Sequence, residues 1–424
     1  MIKAKGNNRR KKAPDVQVSA SASPMPPKKE QLKILMIAPT SYFSDYGGHI
    51  RIFEETVALQ AQGHRVTVVT YQQGRDLPGF DIRRTLPVPY RADYEVGSSR
   101  HKVAFDILLA WEALRVALLV RPDVIHGHMH EGALIGAVLA RLLRKPLVFD
   151  FQGSLTGEMV DHGYLKPRTF IYYWMHRLEK AICRWSPAIL TSSIRAKRLL
   201  MREFEVEEER IQPLPDCVDL ERFDPALFSA EQRDQLRTQL GIPKDRLIVT
   251  YLGLLADYQG THHLVRAAKI LKEQGHNIHF LIMGYPSVEV YADLAASLDI
   301  LDRVTFTGKV PYDDAPYYLS IGDISVSAKM SATEGSGKVL NYMAMAQPIV
   351  AYDSQVHREY LGEFGIYPPS GDVIAFSADI AKLAADPARR RKLGQSLRQR
   401  AADHYNWGVA ARDIVALYQK LSKQ

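Results

Sequence analysis

At 424 residues the chain is too long for one ordinary core and suits two domains of about 150–200 residues each. Hydrophobic residues at 46% and charged residues at 24% exclude a disordered or fibrous protein, and two cysteines, Cys183 and Cys217, exclude a disulfide framework and point to a reducing compartment. The net charge of +8 invites a nucleic-acid reading, but residues 1–30 carry eight lysines and arginines against Asp15 and Glu30, so the remainder is nearly neutral and no nucleic-acid partner is expected.

Residues 1–31 form a basic, Ser/Ala/Pro-rich segment with hardly any large apolar side chains, so a disordered tail is expected there. It lacks the apolar middle of a secretion signal. The longest apolar stretches, Val103–Val120 and Ala133–Leu143, are interrupted by Asp106, Glu112, Arg115 and Arg141 and read as buried or amphipathic helices rather than membrane spans.

Order is expected from Leu32. A short apolar run over Leu32–Pro39 leads through a polar loop with Gly47-Gly48 into a helical pattern, and Arg65–Thr70 is rich in β-branched residues. Helix Val103–Val120, strand Val124–His126, helix Gly132–Leu143, strand Leu147–Phe151, helix Pro167–Arg184 and strand Ala188–Ser192 continue the alternation. After a Pro-containing linker, Pro213–Pro225, a second cycle follows. Its strands are expected at Leu247–Leu252, Ile278–Met283, Arg303–Thr307, Ile324–Ser327 and Ile349–Ala351. Helices Thr261–Gln274, Val288–Leu298, Asp314–Leu319 and Lys338–Ala346 lie between them. The pattern is α/β, with two Rossmann-like domains facing each other across a cleft, at residues 32–212 and 213–400. A C-terminal helix at 401–424 would pack back on the first domain.

Three segments carry chemistry. Gly47-Gly48, at the entrance of the first helix, lets the backbone approach an anionic group. It is not a GxGxxG fingerprint, which weakens a dinucleotide oxidoreductase reading. In Asp123-Val124-Ile125-His126-Gly127-His128-Met129-His130 the three histidines would share one side if the strand continued. No carboxylate or cysteine at ligand spacing accompanies them, so metal is not expected; one histidine at the strand's end could polarise a hydroxyl or accept its proton. In Ser331–Ala351 a Gly-rich loop precedes a helix, and amides around Gly335, Ser336, Gly337 and Lys338 would favour a phosphate while Glu334 accepts from sugar hydroxyls.

Together with Pro213–Phe223, Tyr251-Leu252-Gly253-Leu254-Leu255, Val304–Gly308 and Tyr405-Asn406-Trp407, these segments resemble retaining glycosyltransferases of family 4, with the GT-B fold, over roughly residues 32–420. The resemblance implies transfer of a sugar from a nucleotide-sugar donor to an acceptor hydroxyl in glycan or polysaccharide assembly, with no cofactor and no metal. His128, Glu334 and Lys338 are the catalytic candidates. Gly47, Gly48, Gln259, Gly335, Ser336, Gly337, Val339 and Asn341 are the donor-binding ones. A cytoplasmic enzyme is implied, peripheral at the inner face of the membrane, with a glycan or lipid-linked acceptor. The aromatic run Ile171–His176, followed by Arg177 and Lys180, could meet an anionic membrane surface, although at helical spacing it is more often a core face.

The pattern departs from the family where Leu254 and Gln259 replace an arginine and a lysine that neutralise the diphosphate. The family's second glutamate falls at Tyr342 counted from Glu334, or at Asn341 if anchored on Met343-Ala344. Gln152 stands where a histidine is common. Lys338 is the expected substitute cation. The alternative readings are a GT-B-shaped binding or scaffold protein that has lost catalysis, and a nucleotide-sugar epimerase.

Overall fold

The computed structural model describes residues 31–43, 47–87, 102–161, 165–330 and 336–423. The basic leading segment and residues 44–46, 88–101, 162–164, 331–335 and 424 lie outside the described residues.

The first half runs β1 (Lys33–Ala38), α1 (Gly47–Ala61), β2 (Arg65–Thr70), β3 (Asp81–Arg84), α2 (Lys102–Val120), β4 (Val124–His128), α3 (Met129–Leu143) and β5 (Leu147–Phe151). It continues with α4 (Leu155–Asp161), α5 (Phe170–Trp185), β6 (Ala188–Thr191), α6 (Ile194–Arg202) and β7 (Ile211–Pro213). Its seven strands form a parallel sheet in the order β3-β2-β1-β4-β5-β6-β7.

In the second half come α7 (Ala230–Gln239), β8 (Leu247–Leu252), α8 (Thr261–Glu273), β9 (Ile278–Met283), α9 (Val288–Ser297), β10 (Val304–Gly308) and α10 (Ala315–Leu319). Then follow β11 (Ile324–Ser327), α11 (Gly337–Ala344), β12 (Ile349–Ala351), α12 (Gln355–Leu361), α13 (Val373–Ala384), α14 (Pro387–His404) and α15 (Trp407–Leu421). The second sheet, β10-β9-β8-β11-β12, is also parallel.

Parallel strands need both faces covered. Ile34, Met36, Val66, Val68 and Val124 of the first sheet share a core with α1 and with Ile414, Val415 and Tyr418 of α15. The alternate residues Leu35, Ile37, Val69, Ile125 and Leu147 pack against α2 and α3 on the other face. The chain's last helix therefore covers the sheet built from its first residues, lying against α1.

Two departures from the expected elements are instructive. β3 reads Asp-Ile-Arg-Arg on the sheet's edge and carries no apolar run to betray it. α3 begins at Met129, one residue after β4 ends, because Met129 takes a positive φ of 56° and turns the chain at once. Gly127 makes that close turn feasible: a Cβ there would fall 2.6 Å from the Gly132 carbonyl and 2.7 Å from Ala133.

The strand order locates the functional edge. It reverses between β1 and β4 in the first sheet and between β8 and β11 in the second. Such switch points open a crevice outside the carboxyl ends of the strands, where ligands bind. At or just beyond these four ends lie Gly48 in the first turn of α1, His128 closing β4, Gln259 between β8 and α8, and Lys338 in the first turn of α11.

Candidate active site

At the first switch point β4 delivers His126 and His128 to the same side of the sheet, their rings stacked at 4.5 Å. The expected third member of the row leaves it. The turn at Met129 sends His130 to the opposite face, between Phe149 and Phe151, with Nε2 3.0 Å from Glu179 Oε1. Burial works against the Glu179 charge, but His130 and the Thr156 hydroxyl hold its carboxyl below the usual range. His130 is thus a structural residue.

His126 and His128 meet the buried residues Arg51 and Glu55 of α1 and Asp150 of β5. Arg51 clamps Asp150 bidentately, Nε to Oδ2 at 3.1 Å and Nη2 to Oδ1 at 2.9 Å. His128 Nδ1 lies 3.1 Å from the same Asp150 Oδ2, and Gln152 Nε2 donates to it at 2.9 Å. Burial alone would raise the Asp150 carboxyl, yet Arg51 and the His128 hydrogen bond outweigh it and hold the group well below the carboxylate range. Glu55 moves the opposite way: burial and the Asp150 charge push it up, and the more distant Arg51 Nε at 3.4 Å only partly offsets them. Burial also drives His126 far down. Its Nδ1 is 2.5 Å from the Tyr418 hydroxyl, which ties α15 to the strand end.

The expectation that no carboxylate accompanies these histidines is corrected by the fold. One ligand atom each of Glu55, His126, His128 and Asp150 lies within a 4.8 Å span. Both Nε2 atoms sit 3.9 Å from Glu55 Oε2 and carry no hydrogen bond. Sequence spacing hid the set because its members come from α1, β4 and β5. Those three atoms are the ones that could hold a cation; Asp150 already has the Arg51 guanidinium on both its oxygens.

Arg51 also reaches out of the first sheet. Its Nη1 donates to Asp216 Oδ1 at 2.9 Å in the linker, and Tyr360 of α12 donates to Asp216 Oδ2 at 3.4 Å. A Cβ on Gly337 would be 3.8 Å from that same oxygen. A continuous polar path, His128–Asp150–Arg51–Asp216, therefore ends at the entrance of α11. Neither Arg51 nor Asp216 was singled out from the sequence; an arginine in an otherwise buried helical turn was the available signal.

At the second switch point Lys338, in the first turn of α11, points its ammonium at the end of β8. Nζ is 2.8 Å from Gln259 Oε1, 3.1 Å from the Tyr251 hydroxyl and 4.4 Å from the centre of the Tyr251 ring. A side chain at residue 253 would meet this ammonium: a Cβ on Gly253 would stand 3.0 Å from Nζ. Gln259, expected from the resemblance to stand in place of a lysine, accepts from the Lys338 side chain in space.

Buried Lys329, just after β11, is a second cation at this edge. Burial, then Lys329 and Lys338, push the nearby His357 down to about 4, so it is neutral. Its Nδ1 donates to the Tyr352 carbonyl at 2.7 Å, which leaves Nε2 to accept from the hydroxyls of Ser327 at 3.1 Å and Ser336 at 3.3 Å. His357 thereby pins the residue that precedes α11. Both Lys329 and His357 escaped sequence reasoning, lying outside the Gly-rich segment's spacing.

Of the remaining candidates, Gly47 opens α1, and a Cβ on Gly48 would lie 3.2 Å from Gln152 Oε1. Glu334 and Gly335 lie outside the described residues. Val339 is fully buried in the core and Asn341 is half-buried on α11. Tyr342, one of the two positions for the second glutamate, is buried and its hydroxyl pairs with both the N–H and the carbonyl of Leu252. It is a brace for β8 and offers no charge.

Comparison with known proteins agrees with this architecture. Residues 47–222 match the model described as Glycosyltransferase Family 4, and residues 232–400 match that described as Glycosyl transferases group 1. EpsD of Bacillus subtilis, provisionally named a glycosyltransferase, is 30% identical over 288 residues, covering 66% of this chain and 72% of its own. The 2-deoxystreptamine glucosyltransferase of Streptomyces kanamyceticus is 24% identical over 390 residues, or 88% of this chain and 98% of its own. Among solved structures, a glycosyltransferase from Rickettsia africae superposes with a TM-score of 0.74 at 16% identity, covering 93% of this chain and 100% of the other. HepE of Anabaena, crystallised with UDP-glucose, gives 0.73 at 15% identity, covering 92% and 100%. With both halves matched in order and two parallel sheets that share the architecture of GT-B enzymes, the chain belongs to glycosyltransferase family 4.

Proposed function

We propose that this glycosyltransferase moves a sugar from a nucleotide-activated donor to an acceptor hydroxyl with retention of anomeric configuration, in glycan or polysaccharide assembly. The second half holds the donor and the first half the acceptor. As the bond from the anomeric carbon to the phosphate oxygen breaks, negative charge grows on the departing diphosphate. Lys338, Lys329 and the first-turn N–H groups of α11 meet that charge, a task for which other enzymes use a divalent metal. Ser336, Gly337 and Val339 frame the phosphate side, and Gln259 sets the position of the Lys338 ammonium. Gly47 and Gly48 leave room beside the donor, and Glu334, Gly335 and Asn341 complete its surroundings.

His128 would stand next to the reacting sugar, its ring held through Nδ1 by Asp150. The ring is wholly enclosed in this structure, so the contact requires its surroundings to open when donor binds. The observation that carries the reading is the Lys338 ammonium standing on Gln259, at the strand end where the family places a cation by a different residue.

The test is to incubate the full chain with UDP-, GDP- and ADP-sugars and follow nucleoside diphosphate release, then read the anomeric configuration of any product by proton NMR. Release that disappears in His128→Ala, with a retained anomer, supports the reading; an inverted product or release that is indifferent to His128 overturns it.

A further inference from the structure

The stacked histidines and Glu55 give the first switch point a capacity that the proposed reaction does not use. Glu55 Oε2 lies 3.9 Å from His126 Nε2 and 3.9 Å from His128 Nε2, and all three side chains are fully buried. These spans are too long for hydrogen bonds. Among the described residues neither Nε2 atom has a hydrogen-bond partner, nor has Glu55 Oε2, while Oε1 has only the ion pair with Arg51 at 3.4 Å. Buried polar atoms are ordinarily paired, so three unpaired atoms converging on one point call for a physical cause.

The other ring nitrogens narrow that cause. His128 Nδ1 faces Asp150 Oδ2 at 3.1 Å, and an ionised carboxylate only accepts, so Nδ1 carries the hydrogen and Nε2 presents a lone pair. His126 Nδ1 is anchored in the same way on the Tyr418 hydroxyl at 2.5 Å. Metal-ligating imidazoles are oriented by such contacts at the nitrogen that does not bind the ion. Charge points in the same direction. Arg51 meets three carboxylates, those of Glu55, Asp150 and Asp216. One guanidinium leaves two of those negative charges unbalanced when all three are ionised, and a divalent cation beside Glu55 would neutralise them.

The distances suit a small ion. Around a tetrahedral zinc ion, with bonds of about 2.0–2.1 Å, ligand atoms stand about 3.3 Å apart. Each 3.9 Å span would therefore shorten by roughly half an ångström, a matter of small side-chain rotations. Two imidazoles with one carboxylate favour zinc or cobalt over magnesium or calcium, which take oxygen shells.

We propose that Glu55, His126 and His128 bind one divalent transition-metal ion of the zinc class, through Oε2 and the two Nε2 atoms, with water completing the shell. The ion ties α1 to the end of β4. It also occupies the His128 nitrogen that faces away from Asp150, so the loaded chain withholds that ring from the donor sugar. This consequence rests on the proposed reaction; the binding itself does not.

The test is to produce the untagged full chain in medium supplemented with Zn2+ or Co2+, desalt it and count the metal by plasma mass spectrometry. Wild type is expected to retain about one ion per chain, and the cobalt form to show the visible absorption of a four-coordinate site. Glu55→Gln and His126→Gln should each hold less than about a tenth of an ion, and Tyr418→Phe, which keeps all three ligands, should bind about 10–100-fold more weakly. A chelator should lower the melting temperature of wild type and leave that of Glu55→Gln where it is. Wild type that retains less than about a tenth of an ion overturns the proposal. So does metal retained equally by both ligand variants, or a cobalt spectrum of six-coordinate form; the wild-type spectrum decides even if a variant fails to fold. In the loaded wild type the KM for the nucleotide sugar should exceed that of the chelator-stripped chain. Stoichiometric metal with an unchanged KM would leave the site standing and count against His128 beside the sugar, whereas absence of metal leaves the proposed reaction untouched.

Discussion

Lys338→Met removes the ammonium and keeps most of the stem's volume. Among the described residues Nζ meets the Gln259 amide oxygen at 2.8 Å, the Tyr251 hydroxyl at 3.1 Å and the Tyr251 ring at 4.4 Å. Loss of the cation–π contact costs about 1 kcal/mol of stability, a shift of a few degrees at most in a chain this long. The larger effect falls on the donor. A charge-assisted hydrogen bond from the ammonium to a diphosphate oxygen contributes about 1.5–3 kcal/mol. The substitution should therefore weaken nucleoside diphosphate binding or kcat/KM for the nucleotide sugar by roughly 10–100-fold. Calorimetric titration with the diphosphate and initial rates over a donor series measure it. A lysine carried back to residue 259 supplies the control, because Gln259→Lys/Lys338→Met places an ammonium at nearly the same point from the other side. Rescue by the double variant ties the effect to the position of the charge. Unchanged binding and rate in Lys338→Met refute the reasoning, as does a loss that Gln259→Lys leaves untouched while the fold stays intact.

Two further outcomes follow from the buried groups. Arg51→Met leaves Asp150 and Glu55 enclosed without their guanidinium and cuts the link to Asp216, so the unfolding free energy should fall by about 3–5 kcal/mol in denaturant titration; a loss below about 1 kcal/mol would contradict the ion cluster. His357 has a folded value near 4, below the ordinary 6.5. The unfolded chain therefore binds its proton first, and wild type loses stability as pH falls from about 6.5 to about 4, by at most about 3 kcal/mol from this group. Buried Glu54, raised to about 7 mainly by burial, acts in the opposite direction, losing stability as pH rises from about 4.5 to about 7. The informative quantity is thus the difference in melting temperature between wild type and His357→Gln, which should shrink towards pH 4. A difference that stays constant with pH would contradict a neutral buried imidazole.

Much of the fold was legible because parallel strands buried on both faces are near-continuous apolar runs. β5, β8, β9, β11 and β12 occupy the spans that composition and β-branching indicate. Elements whose burial is partial were silent: β3 is an edge strand of charged residues, and β7 is three residues ending in Pro213. The site was legible only where chemistry is local in sequence. The Gly-rich entrance of α11 and the histidine strand announce themselves by spacing. The partners that decide their electrostatics do not: Asp150 reaches His128 through strand pairing, Arg51 through the packing of α1, and His357 reaches Ser336 from the helix after the next strand. Such contacts are set by the tertiary fold, so a row of three alternating histidines could not reveal that one residue's positive φ would divide it.

The central claim is that the diphosphate of an activated sugar rests at the entrance of α11 under the Lys338 ammonium. A crystal structure of the full chain with a nucleoside diphosphate tests it most directly. The account predicts phosphate oxygens about 3 Å from the Lys338 Nζ and from first-turn N–H groups of α11. Phosphates bound at any other place, with the Lys338 ammonium still resting on Gln259 and Tyr251, would contradict it.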